Sequence, residues 1–419
     1  MNLSCFKNFK VSITTSVFIL VLMLFFAGFF ILQNINGRFW LHDFEVYYSA
    51  SNALADGGQV YGKAFGLDSG YYKYSPIVLY LFLPLAVFPF GIAKVIYFVL
   101  LCLSILIAIR FISAFIRDVF FPDTFEMIQL KVQLLMFLVC LLPFYYELHL
   151  GNINSLLLLL VVPALVLHQQ GKVIPAATLL ALAVLVKPHF LLFFPLLVFR
   201  KEFKFIGISV IVLLFGLLSP SVYTGLATNY QLHQDWLTTM MIHNQSPVTG
   251  FDTIYSWIYR IIDNIISFQP GIWFSFTILG IFYMLLFRFV HRNMEREQAG
   301  HENCSRQRNF VFEYFWVLAV IPNLTVTDFE HFMFSLPLIS LLFFYLLSQK
   351  PPVWITMLSV IAFVLYGGNI RDMVGKTISA WMTTNGILGL GNMMIVILAL
   401  IVWRKVRQNP SQLVSKVIG

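Results

Sequence analysis

Five short polar clusters interrupt a largely apolar sequence, and each carries a residue type that can move a proton or hold an anion. Asp43 sits near the start of LHDFEVYYSASNALADGGQVY. A carboxylate there can take the proton from a hydroxyl that attacks an electrophilic carbon. It can equally cap a helix by accepting first-turn amides. Tyr47, and Tyr74 in the following YYKYSP segment, add phenols that also suit anchoring at a membrane surface. Glu147 to Asn154 reads ELHLGNIN, in which Asn152 and Asn154 open an apolar run and either could cap it. Lys187-Pro188-His189 stands between two short apolar segments. A lysine so close to hydrocarbon either snorkels to water or holds an anion such as a lipid phosphate. Asn244 belongs to the polar run His243 to Ser246, which also reads as an exposed loop. Asp328-Phe329-Glu330-His331 opens another apolar run. Two acids beside an imidazole can tune its protonation, but the spacing matches no standard zinc pattern, so no metal is expected. No cofactor is expected either.

The elements that would position these groups are membrane spans. Of the 419 residues, 59% are hydrophobic and 11% charged, whereas soluble domains are about 25% charged. The expectation is an all-α integral membrane protein with one polytopic domain, residues 1–419. The apolar runs are Val11–Leu32, Gly91–Ile109, Lys131–Tyr146, Ile153–Leu167, Val173–Val186, Phe190–Phe199, Phe205–Leu218, Gly271–Phe287, Phe310–Leu324, Phe332–Leu347, Val353–Tyr366 and Ile387–Val402, about twelve spans. The first run is too long for a signal-peptide core and no small-residue cleavage site follows it, so it reads as a retained span. Cys102 and Cys140 lie inside apolar runs and Cys5 and Cys304 in loops read as cytoplasmic, so no disulfide framework is implied.

The net charge of +8 comes in short basic clusters between apolar runs, which excludes a nucleic-acid partner and marks cytoplasmic loops. With the N-terminus inside and strict alternation, 19 of the 27 Lys and Arg fall in the cytoplasm. The inside segments include the basic loop 288–309 and the tail 404–419. That parity needs Val173–Val186 and Phe190–Phe199 to be two crossings rather than one. All five polar clusters then return to the outer face of an inner, plasma membrane, where a site would assemble. Two outer loops are long, 33–90 and 219–270, and 367–385 is a short outer turn. In the first, Phe44, Tyr47, Tyr48, Ser51 and Leu54 recur at helical spacing, as in an amphipathic helix lying in the interface. The Pro-broken stretch from Tyr71 to Phe90 reads as a second interfacial helix.

The order of short motifs resembles glycosyltransferase family 87. The motifs are Asp43-Phe44-x-x-Tyr47-x-x-Ala50, Gly57-Gly58, Tyr61, Tyr74-x-Pro76, Pro84-Leu85-Ala86, Gly151-Asn152-x-Asn154, Lys187-Pro188, Asn244-Gln245-Ser246 and Asp328-x-x-His331, spread from about Asp43 to Pro337. Two departures stand out: the middle motif lacks a usual Gln between Gly and Asn, and Glu330 occupies a position where His is common. The family is similar to polyprenyl-phosphate-mannose-dependent α-1,2-mannosyltransferases of the GT-C class. The resemblance implies a GT-C-type multi-span bundle with interfacial helices in the first outer loop. It also implies inverting transfer from a lipid-phosphate sugar with Asp43 as base.

On this reading a polyprenyl-phosphate sugar, with mannose first among the hexoses, reacts with a lipid- or glycan-linked acceptor. Lys187, His331 and His189 would hold the donor phosphate, and Tyr47, Tyr74, Asn152, Asn154, Asn244 and Glu330 would line the pocket. Membrane lipids are the remaining partner. Two other classes stay open. A lipid-linked-sugar flippase should show internal repeats and midplane polar sites, whereas the polar groups here gather at one edge. An O-antigen polymerase or ligase should carry key cations in a large late outer loop, whereas 367–385 offers only Arg371 and Lys376.

Overall fold

The computed structural model describes residues 13–66, 70–243, 253–254, 256, 260, 277, 280–281, 283–288, 290–292, 303–324 and 328–408. Among them the fold is all-helical, with a single isolated bridge between Ala64 and Tyr71 and no strand. Among the described residues, five helices are long and apolar enough to cross a membrane: Ser16–Ile35, Phe90–Phe120, Phe203–Thr224, Phe329–Ser348 and Ile387–Val406. A bent pair, Glu126–Val139 with Leu141–Leu150, makes a sixth if it is one span, and five further apolar helices are shorter. Most of the expected run Gly271–Phe287 lies outside the described residues, as do the N-terminal basic residues and the tail beyond 408.

The chain packs as two compact units. One combines Phe26–Ile105 with Tyr145–Pro247; the other combines Met1–Phe25, Leu106–Phe144 and Val248–Gly419. In the first unit, helix α1 (Ile13–Ile35) ends, α2 (His42–Ala55) and α3 (Pro76–Ala86) follow, and α4 (Phe90–Phe120) begins. Helix α5 (Glu126–Val139) belongs to the second unit, and α6 (Leu141–Leu150) ends in the first. The first unit then continues through α7 (Asn154–Gln169), α8 (Val173–Val186), a 3-10 turn (Pro188–Leu192), α9 (Phe193–Phe199), α10 (Phe203–Leu218), α11 (Ser221–Thr224) and α12 (Leu226–His243).

Within the first unit, side-chain contacts fix the chain direction. A tight turn at 170–172 reverses α7 into α8. At that end His168 Nε2 meets Glu202 Oε1 at 3.5 Å, and the His168 ring packs edge-on against Phe205, 5.2 Å between centroids. Ser209 Oγ donates to Ala177 O at 3.3 Å partway along α8. At the far end Gly216 lies so close to α8 that a Cβ there would sit 2.3 Å from Leu185 Cδ1. Helix α10 therefore runs alongside α8 in the same direction. Residues 188–199 must carry the chain back from the Lys187 end to the His168 end. The chain therefore reverses direction at Lys187. The basic residues Lys172, Arg200, Lys201 and Lys204 cluster in sequence at the two turns opposite Lys187.

Other elements depart from the sequence expectation. The run Lys131–Tyr146 is not one helix: α5 stops at Val139, and α6 leaves at 61° from Leu141. Pro143 cannot donate to the carbonyl of Val139, which removes the hydrogen bond a continuous helix would need there. Helix α4 runs on to Phe120, well past Ile109, and near its end Arg117 donates to Asp118 and Gln129. The turn 367–385 holds two short helices, Arg371–Val374 and Lys376–Thr384.

In the second unit, α13 (Asn303–Leu324), a 3-10 turn (Phe329–Ser335), α14 (Leu336–Ser348), α15 (Val353–Gly367), the short α16 (Arg371–Val374) and α17 (Lys376–Thr384), and α18 (Ile387–Gln408) surround a core of mixed aliphatic and aromatic side chains. Several buried polar groups there are paired, which offsets the cost of desolvating them. Tyr366 donates to Phe332 O, Ser335 to Asn392 Oδ1, and Asn392 Nδ2 to Ala319 O at 2.8 Å, which pins the 3-10 turn between three helices. His291 Nδ1 and Glu313 Oε1 form a buried pair at 2.9 Å.

Candidate active site

The start of α2 is docked on the turn between α6 and α7. Leu41, not Asp43, is the N-cap residue of α2, held in the left-handed region at φ 53°. Its N–H donates to His149 O at 3.2 Å. Gly151 adopts φ +72° on the other side of this contact, and a Cβ there would come within 3.0 Å of the Leu41 and Phe44 side chains. Only glycine allows both the conformation and the close approach.

This docking brings Asp43, half-buried, to Asn152, whose Nδ2 donates to Asp43 Oδ2 at 2.7 Å. A carboxylate can only accept, so the amide must turn its NH2 toward Asp43 and its oxygen away. Asn152 Oδ1 accepts from Ile153 N at 2.7 Å, Asn154 Nδ2 at 3.1 Å and Lys187 Nζ at 3.3 Å. Lys187 Nζ also donates to Asn154 Oδ1 at 2.7 Å. Lys187 is 6% exposed and Asn154 0%. The ammonium thus sits at the end of α8, where the chain leaves the helix in extended conformation.

A second carboxylate completes the arrangement. Glu147, fully buried, accepts from Ser155 N at 2.6 Å and from Asn154 Nδ2 at 3.2 Å. Side chains therefore take two of the backbone amides at the start of α7, those of Ile153 and Ser155. Tyr97 of α4 donates to Asn152 O at 3.0 Å and closes the cluster from behind.

The first loop supplies the remaining wall. Lys187 Nζ lies 5.8 Å from the Tyr74 ring centroid, and the Tyr74 and Tyr47 hydroxyls are 2.9 Å apart. Burial first, then the Tyr74 phenol and the Asp43 carboxylate, hold the Tyr47 hydroxyl well above the ordinary phenol range. The extended segment that carries Tyr74 is tied on several sides. Tyr61 donates to Tyr74 O at 2.8 Å, Ser75 to Leu185 O at 2.5 Å, and Trp236 of α12 to Lys73 O at 2.9 Å.

Six of the residues singled out from sequence therefore meet within one unit: Asp43, Tyr47, Tyr74, Asn152, Asn154 and Lys187. His189 lies two residues beyond Lys187 in the 3-10 turn, half-buried and edge-on to Phe190 at 4.7 Å. Glu330 and His331 belong to the second unit, 3.4 Å apart at the start of its pinned turn. Asn244 lies outside the described residues. The reading that Asn152 serves only as a cap falls short, because its amide links a carboxylate to an ammonium as well. Sequence reasoning placed Glu147 in its cluster but gave it no part in the site. The signal was available, since a carboxylate inside an apolar stretch must find partners. Tyr97 and Trp236 carry no such signal; their roles arise from packing.

Chemically, the cluster sets a carboxylate that can take a proton beside a cation that can hold a phosphate, with phenols and amides between them. No group of three or more metal-binding side chains occurs among the described residues. No curated protein matches the sequence. A family model, Glycosyltransferase family 87, matches residues 72–302, which include Tyr74, Glu147, Asn152, Asn154, Lys187 and Asn244. That match covers more than half of the 419 residues, and the chain belongs to glycosyltransferase family 87, a membrane glycosyltransferase.

Proposed function

We propose that this enzyme moves a hexose, mannose by the family resemblance, from a polyprenyl-phosphate sugar to a hydroxyl of a lipid- or glycan-linked acceptor, with inversion. The observation that carries the reading is the single amide of Asn152, which joins the Asp43 carboxylate to the Lys187 ammonium.

In this mechanism the donor's isoprenoid tail lies among the apolar helices, and its phosphate rests against Lys187, aided by His189. Asp43 takes the proton of the acceptor hydroxyl as its oxygen attacks the anomeric carbon. The bond from that carbon to the phosphate oxygen breaks, and the electron pair leaves with the phosphate. Fixed positive charge at the leaving group in a water-poor site lowers the barrier by several kcal/mol. A phosphate leaves without a proton donor, so one carboxylate suffices. Glu147 is fully buried against the start of α7 and is poorly disposed to act as a nucleophile. A single displacement, and hence inversion, follows. Tyr47, Tyr74 and Asn154 line the pocket.

The site faces the extracytoplasmic side of the inner, plasma membrane, with both termini cytoplasmic and about twelve crossings in one polytopic domain. Helices α2 and α3 lie in the outer interface. The basic turns at the His168 end of α7, opposite Lys187, support this orientation.

The test is transfer by the purified protein in proteoliposomes, with polyprenyl-phosphate mannose, glucose and galactose as donors and alkyl glycosides as acceptors. NMR of the product reports its anomeric configuration. Transfer from a polyprenyl-phosphate hexose with inversion is expected. Use of nucleotide sugars alone, or retention of configuration, would reject the reading.

A further inference from the structure

Glu147 is a charged side chain with no exposure in an apolar stretch, and the transfer mechanism gives it no chemical step. An isolated carboxylate in such surroundings is strongly disfavoured, so its partners must repay its desolvation. Those partners are specific. One oxygen accepts from the backbone of Ser155, which fixes the carboxylate to the start of α7. The other accepts from Asn154 Nδ2, and Asn154 Oδ1 in turn accepts from Lys187 Nζ.

The orientation of the Asn154 amide is therefore decided by Glu147. An ionised carboxylate has no proton to give, so the NH2 group must face it and the carbonyl oxygen must face the ammonium. Asp43 imposes the same choice on Asn152. Two carboxylates, each through one asparagine, thus aim two amide oxygens at a single lysine. A glutamine at 147 could still accept from Ser155, so the cap of α7 would survive. It could also donate, which would let the Asn154 amide invert and turn its NH2 toward the ammonium.

We propose that Glu147 is a positioning residue: through Asn154 it sets the place and charge of Lys187, and thereby the affinity for the phosphate of the lipid donor. The proposal rests on the phosphate-holding role of Lys187.

The experiment uses the full-length protein in nanodiscs and a polyprenyl monophosphate carrying no sugar as probe. Its binding is measured for the wild type, Glu147→Gln, Lys187→Ala and the double variant. Glu147→Gln should weaken binding about tenfold, the scale of a hydrogen bond to a charged group. In the Lys187→Ala background the same change should have no further effect. Equal losses in both backgrounds, or no loss in either, would overturn the proposal, because a purely structural carboxylate acts regardless of Lys187. Acetylation of Lys187 by acetic anhydride at neutral pH, followed by peptide mass spectrometry, supplies a readout that needs no phosphate. Glu147→Gln should speed it several-fold, since the ammonium loses part of its negative surroundings; an unchanged rate would contradict the positioning role. If Lys187→Ala binds the probe as well as the wild type, the phosphate role falls, and the acetylation rate still judges Glu147.

Discussion

Asn152 and Asp43 stand 109 residues apart in the chain and meet through a 2.7 Å hydrogen bond from Nδ2 to Oδ2. The amide keeps Asp43 beside a neutral neighbour while passing its oxygen to Lys187. Asn152→Asp would put a second carboxylate against Asp43. Like charges so close raise the proton affinity of at least one of them. Turnover at neutral pH should fall, and the acidic limb of the pH–rate profile should move to higher pH by about one unit or more. A rate profile superimposable on the wild type would show that Asp43 does not work as a base beside this amide.

Tyr47 gives a second pH-dependent expectation. Its hydroxyl is held well above the ordinary phenol range by burial, by Tyr74 and by Asp43. The folded state therefore keeps the proton more firmly than the unfolded chain does. The contribution to stability is complete below the unfolded phenol value of about 10, and it is lost as pH rises from there through the folded value. Tyr47→Phe removes the hydroxyl contact with Tyr74 and should cost about 1 kcal/mol near neutrality. It should also make the decline in thermal midpoint above about pH 10 shallower than in the wild type. Scanning calorimetry of both proteins from neutral to alkaline pH measures this. An equally steep decline would mean that other groups govern alkaline unfolding.

Gly151 ties packing to chemistry. Alanine there meets both a positive φ and side chains of Leu41 and Phe44 at 3.0 Å. The backbone alone costs about 1–2 kcal/mol, and relief of the contact must push the start of α2 away from Asn152. Gly151→Ala should lower the thermal midpoint and cut turnover by about tenfold or more, as small misplacements of reacting groups do. Gly91→Ala is the control, because nothing lies within 4 Å of its Cβ position. Thermal melts and transfer rates for both variants separate the local effect from a general one.

Much of this architecture is legible in the sequence because lipid imposes it. Apolar runs such as Val173–Val186 coincide with helices, since a chain in hydrocarbon must satisfy its own backbone. The spacing of Phe44, Tyr47 and Ser51 anticipates the buried face of α2. Hydropathy reads the lipid-facing part of a helix, not its full length, and so α4 outruns its apolar run to Phe120. Apolarity also hides a break: Cys140 and Pro143 lie in a uniform run, yet α5 and α6 part there. At the site, residue types pointed to Asp43, Asn152 and Lys187 because charge and amide groups are rare in such surroundings. What they could not give was direction. The capping reading of Asp43 was reasonable from its position, but the cap fell to Leu41 because α2 docks on the Gly151 turn. The link from Glu147 through Asn154 to Lys187 depends on the α6–α7 turn meeting the end of α8, which no local pattern encodes.

The most direct test of the account is the turnover of Asp43→Asn in proteoliposomes at saturating polyprenyl-phosphate sugar and acceptor, with binding of the sugar-free polyprenyl phosphate measured in parallel. Loss of the base should cut turnover by at least about a hundredfold, while phosphate binding at Lys187 stays within about twofold, because Ile153 N and Asn154 Nδ2 still hold the Asn152 amide oxygen in place. Turnover within a few-fold of the wild type would contradict the assignment of Asp43 as the group that activates the acceptor.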